Sequence, residues 1–188
     1  LGHTNIIDYC ERPFVKTAEA CQLCHGTGMR NFARQGMKPC RHPDVEANDK
    51  VIIESWNERV APNDIVYHLG DFAFGNFEKI ASYAKRLNGK KVLIKGNHDR
   101  LSDGCFTRMG FLVRRHMLVG SIHLSHHPPW PVSSGRIYLC GHVHNLWKKK
   151  EYGLQMSKPA RLINVGVDVR QFRPVTMTEL GLDENLLV

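Results

Sequence analysis

The chain has 188 residues, 42% hydrophobic and 23% charged, which is long enough to bury a core without staples, and no apolar run approaches the length of a membrane span. A formal net charge of +8 favours phosphorylated or polyanionic partners. Of six cysteines, Cys21, Cys24 and Cys40 are close together while Cys10, Cys105 and Cys140 are scattered, a distribution that points to a reducing compartment, the cytoplasm, and to a metal site rather than a disulfide framework.

In chain order, residues 5–9 are expected to begin a helix that Arg12-Pro13-Phe14 ends. Residues 16–43 are rich in Gly, Cys and basic side chains, show no apolar periodicity and read as an insertion. Across residues 44–60, Val45, Ile52, Trp56 and Val60 can share one helical face, and Pro62-Asn63-Asp64 turns the chain. Residues 65–69 read as a strand running into Gly70-Asp71. Phe77, Ile80, Ala81, Ala84 and Leu87 follow a helical spacing closed by Asn88-Gly89. Val92-Leu93-Ile94 is a second strand, stopped by Gly96. This β-α-β unit puts Asp71 and Asn97 at the same edge of neighbouring parallel strands, where open α/β sheets bind ligands.

The second half is strand-rich: 111–119, 121–125, 137–140 and 161–165 are strand candidates with few helical signals between them. Polar residues stand at four strand ends, namely Asp71, Asn97-His98-Asp99, His126-His127, and His142 with His144. Singly, each is an ordinary turn or surface residue. Together they form a carboxylate, amide and imidazole set suited to Mn, Fe, Zn or Ni. In a strand-like stretch His142 and His144 would point the same way and could serve two adjacent ions.

The ordered motifs "GDF" (70–72), "GNHD" (96–99), "SHHP" (125–128) and "GHVH" (141–144), with the flanking "NIIDYCERPF", "VYHLGDFAFG" and "NVGVD", resemble the calcineurin-like metallophosphoesterases, in particular their small bacterial and phage members. The resemblance implies an α/β fold of two mixed β-sheets flanked by helices, and two divalent ions that generate a hydroxide to attack phosphorus. It implies Asp71 as the carboxylate bridging both ions, Asn97, His126 and His142 as the other ligands of the second ion, and His144 as a ligand of the first. His98 resembles the histidine that contacts the phosphate and helps the leaving oxygen depart, with Asp99 orienting its ring. Arg100, His127 and His3 are substrate-binding candidates, although His3 reads equally well as a helix-start residue. The family's Asp-x-His motif precedes a sequence like Gly2-His3-Thr4-Asn5, so the expectation is an N-terminally incomplete domain over 1–188 carrying the insertion.

Within that insertion, Cys21-x-x-Cys24 followed by Cys40-x-His42 has the spacing of a structural zinc site, with His25 as a competing fourth ligand and an exposed thiol-bearing loop as the alternative. Lys148-Lys149-Lys150 and Arg114-Arg115 either steer a nucleotide or nucleic acid or form a solvated face. Trp130 either stacks on a base or packs in the core or at a rim. The expected function is hydrolysis of a phosphomonoester or phosphodiester. The alternatives are a nuclease, suggested by charge and insertion, and a non-catalytic binding or scaffold protein on the same fold.

Overall fold

The computed structural model describes residues 1–3, 6–7, 10–17, 20–32, 36–153, 155 and 157–187. Two compact units make up the chain, Leu1–Val51 and Ile52–Val188. Asn5, Asp8 and Tyr9 of the expected first helix lie outside the described residues, but Ile6 and Ile7 are helical and buried. His3 caps them, its Nδ1 accepting the Ile6 N–H at 3.1 Å.

In the first unit a hairpin is formed by β1 (Met29–Phe32) and β2 (Gly36–Pro39), which pair antiparallel from Met29↔Pro39 to Phe32↔Gly36. Helix α1 (Val45–Asn57) starts at Asp44, whose carboxylate accepts the Ala47 N–H at 3.0 Å, and the division between the units falls within this helix. Its buried Asn48 accepts from Arg12 Nη1 at 2.9 Å, and the neighbouring Asp49 accepts the Gly2 N–H at 2.9 Å. Both polar side chains are therefore satisfied where burial would otherwise penalise them.

In the second unit β3 (Ile65–His68), β4 (Lys90–Ile94) and β5 (Phe111–Arg114) form a parallel sheet in that order. Helix α2 (Phe77–Arg86) makes the β3-to-β4 crossover; Asn76 caps it by accepting the Lys79 N–H at 3.0 Å, and Ile80, Tyr83 and Ala84 are buried. Helix α3 (Asp103–Arg108) links β4 to β5. A five-stranded mixed sheet has the order β6 (His116–Val119), β7 (Ile122–Ser125), β8 (Ile137–Cys140), β10 (Ala160–Asn164), β9 (Lys149–Tyr152). β7, β8 and β10 run parallel, and β6 and β9 close the edges antiparallel. Leu69 and Ile94 at the ends of β3 and β4 share one core with Ile122, Leu124, Ile137, Leu139 and Ile163 of the second sheet. This is the α/β architecture of two sheets with helices that the motifs imply.

Four elements differ from the sequence expectation. Residues 111–119 form two strands in different sheets, because β5 bonds to β4 while His116↔Ser125 begins the pairing of β6 with β7. Helix α3, strand β9 and the hairpin β1–β2 were not expected. Among the described residues no helix is long and apolar enough to cross a membrane.

Candidate metal centre

Two strand ends meet at the centre of the site. Beyond β3 the chain turns through Gly70 (φ +91°) into Asp71 (φ +55°). A Cβ on Gly70 would lie 2.7 Å from the Gly96 nitrogen, so only glycine lets the loop after β3 approach the loop after β4. The buried Asp99 carboxylate ties these loops together by accepting the main-chain N–H groups of Asp71, Phe72 and Gly96, each at 2.8 Å. This corrects the expectation that Asp99 orients the His98 ring. Its oxygens serve the main chain, and its effect on the site is to fix where Asp71 and Asn97 stand. Asp71 Oδ1 in turn accepts the His98 N–H at 2.8 Å.

His126 follows β7 and is 3% exposed. Its Nδ1 is 2.7 Å from the Leu69 carbonyl oxygen. A carbonyl can only accept, so Nδ1 donates and Nε2 of the neutral ring keeps its lone pair. That Nε2 faces Asn97 Oδ1 at 2.9 Å and Asp71 Oδ2 at 3.4 Å. Three donor atoms from three strand ends thus converge where a cation would satisfy them all, with a main-chain carbonyl orienting the imidazole as in ligating histidines.

His142 follows β8, and its ring lies 4.1 Å from that of His127 and 5.1 Å from that of His126, centroid to centroid. Ligand atoms of His126, His127 and His142 all lie within 4.8 Å of one another. His127, expected only as a substrate contact, is therefore brought among the candidate ligands. The period-two expectation for His142 and His144 does not hold, since both adopt positive φ (+64° and +45°) in a turn beyond β8. His144 points instead to Asp168, with Nδ1 3.5 Å from Oδ2. Asn164 holds this turn by donating from Nδ2 to the carbonyls of His144 (2.8 Å) and Trp147 (2.7 Å). Asp168, the last residue of "NVGVD", is a polar group of the site that the ligand set omitted.

The electrostatics suit cation binding. Burial acts to raise the Asp71 carboxyl, but a hydrogen bond from the His126 ring in its protonated form and one from the His98 amide outweigh it and hold it at about 2. For His126, burial opposes protonation, yet the bond to Asp71 and the Leu69 carbonyl leave it raised. Burial, then neighbouring imidazoles, lower both His127 and His142, which keeps their ring nitrogens available as ligands at neutral pH. The donors are carboxylate, amide oxygen and imidazole, the set that fits a first-row divalent ion.

Beside the centre, His98 and Arg100 line a cavity of about 210 Å³ with Phe74, whose ring is 5.3 Å from that of His98. His3 belongs to the first unit and serves there as the cap already described. Trp130 is 76% exposed, and its ring meets that of Tyr152 at 5.5 Å in a T-shaped contact. Of the basic run, Lys149 pairs with Glu151 at 2.6 Å and Lys150 lies over Trp147.

The chain is similar to known proteins in sequence and in fold. The sequence profile of the calcineurin-like phosphoesterases matches residues 44–165. The uncharacterized protein MJ1445 of Methanocaldococcus jannaschii is 28% identical over 180 residues, covering 94% of this chain and 81% of that protein. The crystal structure of AQ665 from Aquifex aeolicus, a protein of unknown function, aligns over 73% of this chain and 86% of its own, with a TM-score of 0.52 and 23% identity, a likeness of fold.

Proposed function

The chain belongs to the calcineurin-like phosphoesterase family, whose general chemistry is phosphoester hydrolysis with divalent metals, and from that premise we propose that it hydrolyses a phosphomonoester or phosphodiester at a dinuclear site. The observation that carries this reading is His126, its Nδ1 engaged by the Leu69 carbonyl and its Nε2 facing both Asn97 and Asp71. In the proposed assignment Asp71 is shared between two ions, Asn97, His126 and His142 hold one of them, and His144 contributes to the other. When bound, such ions clamp the phosphate and supply hydroxide near neutral pH. His127 stands close enough to His142 to ligate or to contact a phosphate oxygen.

His98 is the proposed acid for the leaving oxygen. Its amide is bonded to the shared carboxylate, which fixes its main chain beside the metal position, and the residue is exposed to substrate. The cavity lined by Phe74, His98 and Arg100 would take the esterified group, with the guanidinium as an anion contact. Asp99 acts as a positioning residue for both loops.

Turnover of aryl phosphate mono- and diesters with manganese tests the reading. His98→Ala is expected to keep its metal and lose about 10²–10⁴-fold in kcat, whereas Asp71→Ala loses metal and activity together. Absence of turnover with Mn, Fe, Zn or Ni, or equal metal loss in the two variants, would overturn the assignment. The preferred ester distinguishes a monoesterase from a diesterase or nuclease.

A further inference from the structure

We propose that Cys21, Cys24, Cys40 and His42 form a structural zinc centre that organises residues 16–43, in the unit that holds none of the hydrolytic ligands. The four ligand atoms lie within 4.8 Å of one another, with Cys21 Sγ 3.7 Å from Cys40 Sγ and Cys24 Sγ 3.3 Å from His42 Nδ1. Tetrahedral zinc with Zn–S near 2.3 Å puts neighbouring sulfurs about 3.8 Å apart. A disulfide needs about 2.05 Å and would use only two of the three thiols. The observed spacing is that of ligands around an ion.

All three cysteines are buried, at 3%, 3% and 7% exposure, and they form a cluster of cysteines alone. Such a cluster offers little apolar surface to fold around, so the segment has a need that a metal meets. The main chain is arranged accordingly. After the first pair the chain turns tightly, His25 N–H donating to the Cys21 carbonyl at 3.0 Å and Thr27 N–H to that of Cys24 at 2.9 Å. The hairpin β1–β2 then returns the chain, and Cys40 N–H donates to the Gly28 carbonyl at 2.8 Å. His42 N–H is directed at Cys40 Sγ at 3.4 Å. His42 itself has φ +53°, a conformation non-glycine residues hold when the surroundings demand it. His25, the rival ligand, is exposed and outside the four-atom group. On loading, the thiols release their protons to solvent and the ion is held by three thiolates and a neutral imidazole, with no redox change.

The test uses the full chain. Zinc should be found after dialysis against a mild chelator, should survive in an Asp71→Ala/His142→Ala variant, and should fall to background in Cys24→Ser. Cobalt loaded into that double variant should show thiolate-to-metal charge transfer and intense tetrahedral d–d bands. His42→Cys, which replaces one ligand by another, should keep the zinc that His42→Ala weakens. Because a cysteine variant can fail to fold, the unmodified chain is also titrated with a mercurial reagent, and zinc should appear in step with thiol modification. Zinc that disappears with Asp71 and His142, cobalt spectra without the charge-transfer band, or mercurial titration that releases no zinc would each overturn the proposal. The hydrolytic assignment stands or falls separately, on Asp71 and His98.

Discussion

Two glycines and a carboxylate bonded to main-chain amides decide whether the candidate ligands can meet. A Cβ on Gly96 would stand 2.5 Å from the Asp71 nitrogen and 2.9 Å from His126 Cε1, inside van der Waals contact with both. Gly96→Ala should therefore destabilise the protein by about 1–3 kcal/mol and weaken manganese binding. Gly104, in helix α3, would meet only Ser102 Oγ at 4.0 Å, so Gly104→Ala should stabilise by up to about 1 kcal/mol and leave the metal alone. Urea unfolding and manganese titration of both variants check the contrast; equal effects would show that the approach of the two loops is not limiting. "GNHD" and "GDF" are legible in sequence because a glycine ends each strand and polar residues follow. What Asp99 does is not legible, since its partners are main-chain amides, and an amide looks the same at every position. The turn through His142 and His144 is hidden for a related reason: positive φ at non-glycine residues leaves no composition signal.

At the level of elements, periodicity worked where one face is buried and failed where charge or length masks it. Helix α2 shows its face plainly, and its buried Ile80 and Ala84 are among the residues that mark it in sequence. Strand β9 contains Lys149, Lys150 and Glu151 and is largely exposed, as suits a charged edge that resists pairing with other chains. The break between β5 and β6 is invisible because the alternation stays in phase across it, with Phe111, Val113, Met117 and Val119 on the more buried side. Helix α3 is six residues long with a glycine inside, yet Ser102 caps it and Phe106 is 0% exposed. Phe106 meets Phe111 edge-on at 5.9 Å, and Phe111 meets Phe72 at 4.9 Å, next to the amide that Asp99 holds. This short helix thus supports the ligand loop through three aromatic rings. Phe106→Ala should cost about 3–5 kcal/mol, while Phe106→Leu keeps most of the packing. Denaturant unfolding measures both, and a loss below about 1 kcal/mol for alanine would mean that α3 is not part of the core.

For the whole chain, the ordered strand-end motifs were enough to imply the family, and the matched region, residues 44–165, contains all of them. The first 43 residues fall outside that match; there "NIIDYCERPF" at 5–14 flanks the motifs, and the cysteine spacing marks the insertion. A further property of the whole is its response to acid, to which His68 contributes from the end of β3. Its ring stacks on Trp56 at 6.4 Å and 30° and meets the edge of Phe72 at 5.4 Å, and its buried Nδ1 has no hydrogen-bond partner. Burial disfavours the imidazolium and brings this group down to about 4, against 6.5 when unfolded. Between those values the unfolded chain binds the proton that the native state refuses, so stability is full above pH 6.5 and falls as the pH drops towards 4, by up to about 1.4 kcal/mol per pH unit for one proton. His127 and His142 titrate in the same direction, so the wild-type curve alone does not isolate His68. The difference between wild type and His68→Phe does, because any packing penalty of the larger ring is a constant offset while the proton contributes a slope. Relative to wild type, the phenylalanine variant should gain stability steadily from pH 6.5 to 4 and not above. Parallel stability curves for the two proteins across that range would mean that His68 is protonated as readily in the native state as in the unfolded chain.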